Sequence, residues 1–223
     1  MIAIRASRWL PLLAGSLLAV AAGAQAAVAI DSGWILDHLA RPAPMRTAFV
    51  ELRESRLLKA PLRIAGEYSR PDDATLVREV RTPYVETTTI VSGKAGGEVT
   101  IARAGHAPRT FSLARVPELA GLQSSFGALL SGNRQQLEQH YRISSSGSRE
   151  HWQLTLLPRD AAFAAKVRDI TLYGRGAELR CIETHPAQGT EVQRTLLAGA
   201  AHAAAQASDR ATLETLCHDP AAA

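Results

Sequence analysis

The chain is poor in aromatic residues and in cysteine, and it has no strong charge of either sign. Aromatic residues make up 5% of its 223 residues, and only two cysteines are present. The formal net charge of +4 is too small to predict a nucleic-acid-binding surface. Hydrophobic residues nevertheless amount to 46% of the chain, which is enough to build a core and argues against global disorder. The length favours one domain.

Motifs of the common catalytic sites are also missing. The sequence has no Gly-x-Ser-x-Gly, no His-Glu-x-x-His and no phosphate-binding glycine loop. Its seven histidines are scattered along the chain, so each is interpreted as a surface or interface residue rather than a base, although any of them could meet a distant aspartate in the fold. We therefore predict a protein that is not an enzyme, with no catalytic residues and no cofactor.

The first 26 residues have the pattern of a secretory signal peptide. Arg5 and Arg8 precede the apolar run Trp9–Val20, and small residues with an Ala-x-Ala site follow. The alternative is a membrane anchor, but the apolar run is short for a bilayer span. We predict export by the general secretion route, cleavage near Ala26, and a soluble periplasmic protein.

Alternating apolar and polar residues predict a mainly β protein. The pattern is clearest in Arg46–Arg53, Leu62–Tyr68 and Thr75–Pro83, and a turn at Pro71 to Asp73 separates the last two. Further strands are predicted at Val85–Ser92, Glu98–Arg103, Arg109–Leu113, Gln139–Ser144, His151–Leu157, Arg168–Tyr173, Ala177–His185 and Glu191–Leu197. About eleven strands with short connections form a meander that curls, because strands twist.

Helices are predicted at both ends of the chain and between the two strand blocks. Ile30–Leu39 is capped by Asp31 or Ser32, and Asp160–Val167 is a short helical link. In Val116–Leu130 an apolar stripe recurs every three or four residues, so this helix either covers the concave face as a lid or closes a permanent core. We predict a domain at 27–198 and a helical tail at 199–223, with Ser208 as a cap.

Cys181 and Cys217 are the only cysteines. In an exported protein an even pair favours a disulfide, here between the strand Ala177–His185 and the C-terminal helix, with a stabilisation of about 3 kcal/mol. The alternative is a metal site that also uses His185 and His218. We predict the disulfide and no metal.

The strand pattern resembles the LolA family of outer-membrane lipoprotein carriers over roughly residues 34–198. The first strand contains Phe49, the second ends in Arg70-Pro71-Asp72, and the third leads to Pro83. Val91–Lys94 stands where the family has Asp-Gly-Lys. Residues 96–100 replace the family's Leu-Trp-aromatic strand, so the chain is more similar to a divergent, LolA-like branch.

The resemblance implies an incomplete, strongly curved antiparallel β-barrel whose concave face is covered by helices and holds acyl chains. It implies that Arg70 bonds to the backbone of Val116–Leu130 or its flanking loops and latches the lid; the alternative is that Arg70 ends a strand in solvent. The cavity liners are predicted to be Phe49, Leu52, Ile64, Tyr68, Leu76, Val80, Leu119, Leu122, Phe126, Leu129, Trp152, Leu154 and Ile170.

The function implied is periplasmic transport of a lipidated protein or lipid toward the outer membrane by a monomer. An inner-membrane release complex and an outer-membrane acceptor would be its partners, and nucleic acid would not. Two alternatives stay open: a lipid- or lipoprotein-sensing regulatory protein, and a periplasmic hydrolase of lipid-linked substrates. A serine or histidine near a buried carboxylate in a pocket would favour the hydrolase.

Overall fold

The structure is a computed structural model that describes residues 30–53, 62–93, 97–115, 127–207 and 209–218. Three of the predictions above lie outside the described residues: the signal peptide with its cleavage site, the liners Leu119, Leu122 and Phe126, and the cap at Ser208. In the described part of the chain, no helix is long and apolar enough to cross a membrane.

The fold is built on one antiparallel sheet. Its strands are β1 (Met45–Arg53), β2 (Leu62–Arg70), β3 (Thr75–Thr82), β4 (Glu86–Val91), β5 (Glu98–Arg103), β6 (Arg109–Ser112), β7 (Tyr141–Gly147), β8 (Trp152–Pro158), β9 (Val167–Arg175), β10 (Glu178–Pro186) and β11 (Gln193–Leu197). Two meanders join where β1 pairs with β11, and Phe49 there faces Leu197. Because β6 and β7 are the two edges of the 11-stranded sheet, the barrel is incomplete, as predicted.

Side-chain alternation divides the sheet into two faces, which we call inner and outer. The inner face of β1, β2, β3 and β11 carries the buried cluster Phe49, Ile64, Val80 and Leu197. The outer face carries a cluster that includes Val50 and Cys181, with Leu52 packed against it. The prediction that Leu52 shares a face with Phe49 is therefore wrong, because residues three apart on a strand point to opposite sides.

Helices close the inner face over β7 to β10. Helix α1 (Ser32–Leu39) buries Ile35 and Leu36 completely. Residues 127–130 are helical, and the short helix α2 (Arg134–His140) follows them. All three contribute to one core cluster together with the strand residues Trp152, Leu154, Leu156, Ile170 and Leu172. The described part of this half of the inner face is a closed core, but only residues 127–130 of the predicted helix Val116–Leu130 are described, so the choice between a lid and a permanent core stays open.

Gly174 is needed for that core. A Cβ atom at this position would lie 2.0 Å from Cζ2 of Trp152 and 2.5 Å from the carbonyl oxygen of Glu178. The absence of a side chain lets the Trp152 indole lie directly against Gly174, and its Nε1–H donates to the carbonyl of Gly176 at 2.9 Å.

The C-terminal helices pack on the outer face. After a short link, α3 (Ala161–Ala164), and the strands β9 to β11, the chain forms α4 (Ala198–Ala203) and α5 (Arg210–His218). Alanines of α4 and Leu213 and Leu216 of α5 enter the outer cluster. The expectation of helices on the concave face therefore describes α1 and residues 127–130, whereas α4 and α5 cover the opposite side.

The predicted bounds of the seventh strand need correction. Residues Gln139 and His140 belong to α2, so the strand begins at Tyr141 and runs through Gly147. The missed signal was Asn133, whose Oδ1 accepts the Gln136 N–H at 3.0 Å, as an N-cap residue does.

Candidate functional site

An apolar cavity lies between the two halves of the inner face. It has a volume of about 430 Å³, within the range of small-molecule pockets. Its apolar wall is formed by Leu39, Met45, Leu76, Leu129, Leu130, Leu179 and Leu197. These residues come from α1, residues 127–130 and strands β1, β3, β10 and β11, so the cavity is framed by both meanders and by the helical cover.

The outer face has a groove of similar size, about 500 Å³. Arginines and polar residues line it, among them Arg53, Glu191, Arg194 and Arg210. A groove lined by charges does not favour an acyl chain, because burial of apolar surface is the driving force for binding one. The inner cavity is therefore the candidate site for an apolar ligand.

The predicted liners fall into three groups. Tyr68, Leu76 and Leu129 line the cavity. Phe49, Ile64 and Val80 form the packed layer behind Leu197, and Trp152, Leu154 and Ile170 lie in the closed core beneath α1. The liners that the sequence did not indicate are mainly Leu39, Leu130, Leu179 and Leu197. The apolar stripe of α1 could have pointed to Leu39, but the others needed the strand order.

Arg70 lies at the end of β2 beside the cavity and is only 6% exposed. Its Nη1 donates to the carbonyl of Arg41 at 2.9 Å, and its Nη2 forms an ion pair with Asp73. The guanidinium therefore faces protein on one side and the exposed Asp73 carboxylate on the other. It does not end a strand in open solvent.

Among the described residues, the backbone partner of Arg70 is the linker after α1. Arg41 follows α1, and its own N–H donates to the carbonyl of Leu130 at 2.8 Å. Arg70 thus holds the linker after α1, and that linker holds the end of residues 127–130. Whether this chain of hydrogen bonds acts as a latch stays a prediction.

A network of charged side chains lies on the outer face around Glu183, which is 2% exposed. Arg194 Nε donates to its carboxylate at 2.5 Å and the Tyr173 hydroxyl at 3.1 Å, while His218 Nε2 lies 3.0 Å from it. A buried carboxylate needs such partners, because an unpaired one would be strongly destabilising. The network fixes α5 to β9, β10 and β11.

The predicted disulfide lies next to this network. Cys181 and Cys217 are bonded, with their Cα atoms 5.2 Å apart, so the C-terminal helix is attached to β10. Ligand atoms of Glu183, Cys217 and His218 lie within 4.8 Å of one another, but a sulfur in a disulfide is not the thiolate that binds zinc. The disulfide therefore removes both cysteines from the alternative metal site.

His185 and His218 both lie close to the buried Glu183 carboxylate, the kind of histidine–carboxylate pair that a hydrolase would need. His185 Nδ1 lies 2.6 Å from Asp169 and its Nε2 lies 3.5 Å from Glu183. Burial works against ionisation of Asp169, but hydrogen bonds from Arg168 and His185 outweigh it and lower its pKa. With a carboxylate at each ring nitrogen, His185 has no nitrogen directed at a substrate, and the pair lies on the face away from the apolar cavity.

Tyr173 makes the network sensitive to high pH. Burial and the adjacent Glu183 carboxylate raise the pKa of Tyr173 above its ordinary value. Above about pH 10 the unfolded chain loses the tyrosine proton while the folded chain keeps it, so the free energy of unfolding falls as pH rises. We expect Tyr173→Phe to flatten this decline in urea titrations between pH 8 and 11. A residual slope should remain, because burial also raises the pKa of Tyr68; parallel curves for the two proteins would contradict the assignment.

Comparison with known proteins found a family model and a solved structure to which the chain is similar. A family model described as outer membrane lipoprotein carrier protein LolA-like matches residues 23–221. Among solved structures the chain is similar to a LolA superfamily protein from Nitrosomonas europaea, with 10% identity, a TM-score of 0.37, and coverage of 74% of this chain and 90% of that one. A search of curated proteins gave no match. The family match includes the strands and helices that frame the cavity.

Proposed function

Because the chain belongs to the LolA-like outer-membrane lipoprotein carrier family, we propose that it is a periplasmic carrier of acyl chains. It binds the acyl chains of a lipid or lipidated protein in the inner cavity and moves them toward the outer membrane. A release complex of the inner membrane would load it and an acceptor at the outer membrane would unload it. The protein is not an enzyme in this proposal.

The observation that carries the proposal is the apolar cavity beneath a helical cover. Leucines from both meanders line it, and each methylene of a bound chain would contribute about 0.8 kcal/mol by leaving water. The cover is formed by the end of α1, the following linker and residues 127–130, and the Arg41 N–H of the linker donates to the Leu130 carbonyl. Separation of the linker from residues 127–130 would admit a ligand.

The proposal is tested by filling the cavity. Thr47 lies on the inner face of β1 and lines the cavity, so the indole of Thr47→Trp would occupy space that the acyl chain needs. We expect about tenfold weaker binding of a fluorescent fatty acid, because excluding two methylenes costs about 1.6 kcal/mol. Native mass spectrometry and organic extraction of the protein purified from the periplasm would show the same loss of endogenous acylated species.

The matched control is Thr110→Trp. Thr110 is exposed on the edge strand β6 and bonds to Thr100 across the strand pair, so the same substitution adds an indole away from the cavity. Binding equal to that of the original protein is expected for this variant. If neither protein carries acylated species from the periplasm and the original protein takes up no fatty acid, the carrier proposal is wrong.

A further inference from the structure

The inner cavity is apolar inside but basic at its rim. Four arginines line it, Arg41, Arg46, Arg70 and Arg175, against one acidic residue, Glu178. Glu178 Oε1 accepts the backbone N–H of Gly199 at 2.7 Å, so part of its hydrogen-bonding capacity is already used by α4. A neutral ligand would gain nothing from this excess of positive charge.

Within the described residues, two of these arginines have carboxylate partners and two do not. Arg46 pairs with Glu67, and Arg70 pairs with Asp73. The guanidinium of Arg41 donates to the carbonyls of His38, Ala40 and Ala177, which orient it without neutralising its charge. Arg175 is exposed, and no carboxylate in the described part of the chain pairs with it.

Arg41 and Arg175 belong to the same side of the rim. The carbonyl that Arg41 Nη2 reaches at 2.9 Å is that of Ala177, two residues beyond Arg175 in the β9–β10 turn. Three hydrogen bonds hold the Arg41 guanidinium in place, so little of its conformational entropy remains to be lost when a ligand binds. Arginine is also suited to phosphate and carboxylate groups, which it binds through two parallel N–H donors.

We infer that the ligand of the inner cavity is an anionic amphiphile. Its acyl chain lies among Leu179, Leu197 and Leu129, and its phosphate or carboxylate headgroup lies at the rim against Arg41 and Arg175. This inference rests on the proposed carrier function and adds the chemical class of the ligand: the headgroup contributes to recognition, and a neutral acyl alcohol of equal length binds less well.

The test compares ligands of one chain length. Dodecyl phosphate, dodecanoate and dodecanol are titrated against a neutral fluorescent probe, N-phenylnaphthylamine, bound to the purified protein. We expect both anions to displace the probe at lower concentration than dodecanol. Their advantage should shrink as salt is raised, because screening weakens exposed charge interactions. Inorganic phosphate alone should not displace the probe, since it has no chain to bury.

A substitution at Arg175 tests whether an arginine at the rim causes the preference for anionic over neutral ligands. The Arg175 side chain is exposed, so Arg175→Gln leaves the core intact. We expect the ratio of dodecyl phosphate affinity to dodecanol affinity to fall about two- to fivefold, the range of an exposed ion pair. Arg175→Lys should lower this affinity ratio less than Arg175→Gln does. The matched control is Arg142→Gln, on the exposed outer side of β7, which should keep it unchanged.

The possible outcomes separate the two proposals. Equal displacement by dodecanol and the anions would overturn the anionic ligand and leave the carrier function standing. Failure of all three ligands to displace the probe would overturn both. Displacement by inorganic phosphate at the concentrations that suffice for dodecyl phosphate would show a site for free anions and would also overturn the inference. An unchanged ratio in Arg175→Gln would exclude this arginine as the headgroup contact.

Discussion

Replacing Glu183 by alanine is expected to lower the free energy of unfolding by about 3–5 kcal/mol, the usual effect of removing one partner of a buried ion pair. The substitution leaves Arg194, whose side chain is 9% exposed, without its close carboxylate. Its remaining acidic neighbour is Glu214 at 3.7 Å, which is half-exposed. The Tyr173 hydroxyl also loses its acceptor. Urea denaturation at pH 7 measures the difference.

Glu214→Ala is the matched control, because it removes a carboxylate from the same Arg194 guanidinium at the surface. Exposed ion pairs contribute about 0–1 kcal/mol, so this variant should unfold close to the original protein. Glu183→Gln retains an acceptor oxygen and should lie between the two. Suppose that Glu183→Ala lowers the free energy of unfolding no more than Glu214→Ala does. Water then already reaches the Glu183 carboxylate, and burial of the network does not explain its contribution to stability.

Much of the sheet could be predicted because its strands alternate. Runs such as Trp152–Leu156 have one apolar face, and the short turns between runs make neighbours in the chain neighbours in the sheet. The eleven predicted strands match the eleven strands of the described residues, and most boundaries agree within two residues. The pairing of β1 with β11 was not predictable in this way, since it joins residues about 150 positions apart and no local pattern encodes it.

The cavity was predicted less well than the sheet, for a geometric reason. Alternation shows that Phe49 and Leu52 point to opposite faces, but it does not show how far each face is covered. Trp152 and Phe49 both point inward. Helix α1 covers Trp152 completely, whereas the cavity lies nearer to Phe49. The position of α1 depends on tertiary packing, so only the structure distinguishes a core residue from a liner.

The outer network was missed because its members look like ordinary solvent-facing positions of strands. Glu183, His185 and Cys181 alternate on one face of β10, and Cys217 with His218 ends the chain's last helix. The sequence predicts a disulfide between Cys181 and Cys217, with a metal site that also uses His185 and His218 as the alternative. What it could not show was that α5 covers this face and buries Glu183. Both faces of the sheet are therefore covered: the outer side holds the C-terminal helices, and the inner side holds the closed core and the apolar cavity.

In the variant Arg70→Met, the equilibrium constant for opening the cover of the cavity is expected to rise about 10- to 100-fold. The variant removes a charged donor from the Arg41 carbonyl, and hydrogen bonds to charged groups contribute about 1.5–3 kcal/mol. Asp73 is exposed, so its carboxylate is solvated by water once the arginine is gone and adds little cost. The reporter is the Arg41 amide, which donates to Leu130 at 2.8 Å and exchanges with solvent hydrogen only when the linker leaves residues 127–130.

Hydrogen exchange at the Arg41 amide therefore distinguishes a latch from a merely buried arginine. The Ala40 amide, which donates to Leu36 within α1 at 3.0 Å, serves as an internal control and should change less. Arg46→Met is the matched variant, because Arg46 lines the same cavity but is itself exposed and pairs with Glu67 rather than with the linker. It should leave both exchange rates unchanged. If the Arg41 amide exchanges at the same rate in Arg70→Met as in the original protein, Arg70 does not hold the cover, and the linker is fixed by α1 and the Leu130 carbonyl alone.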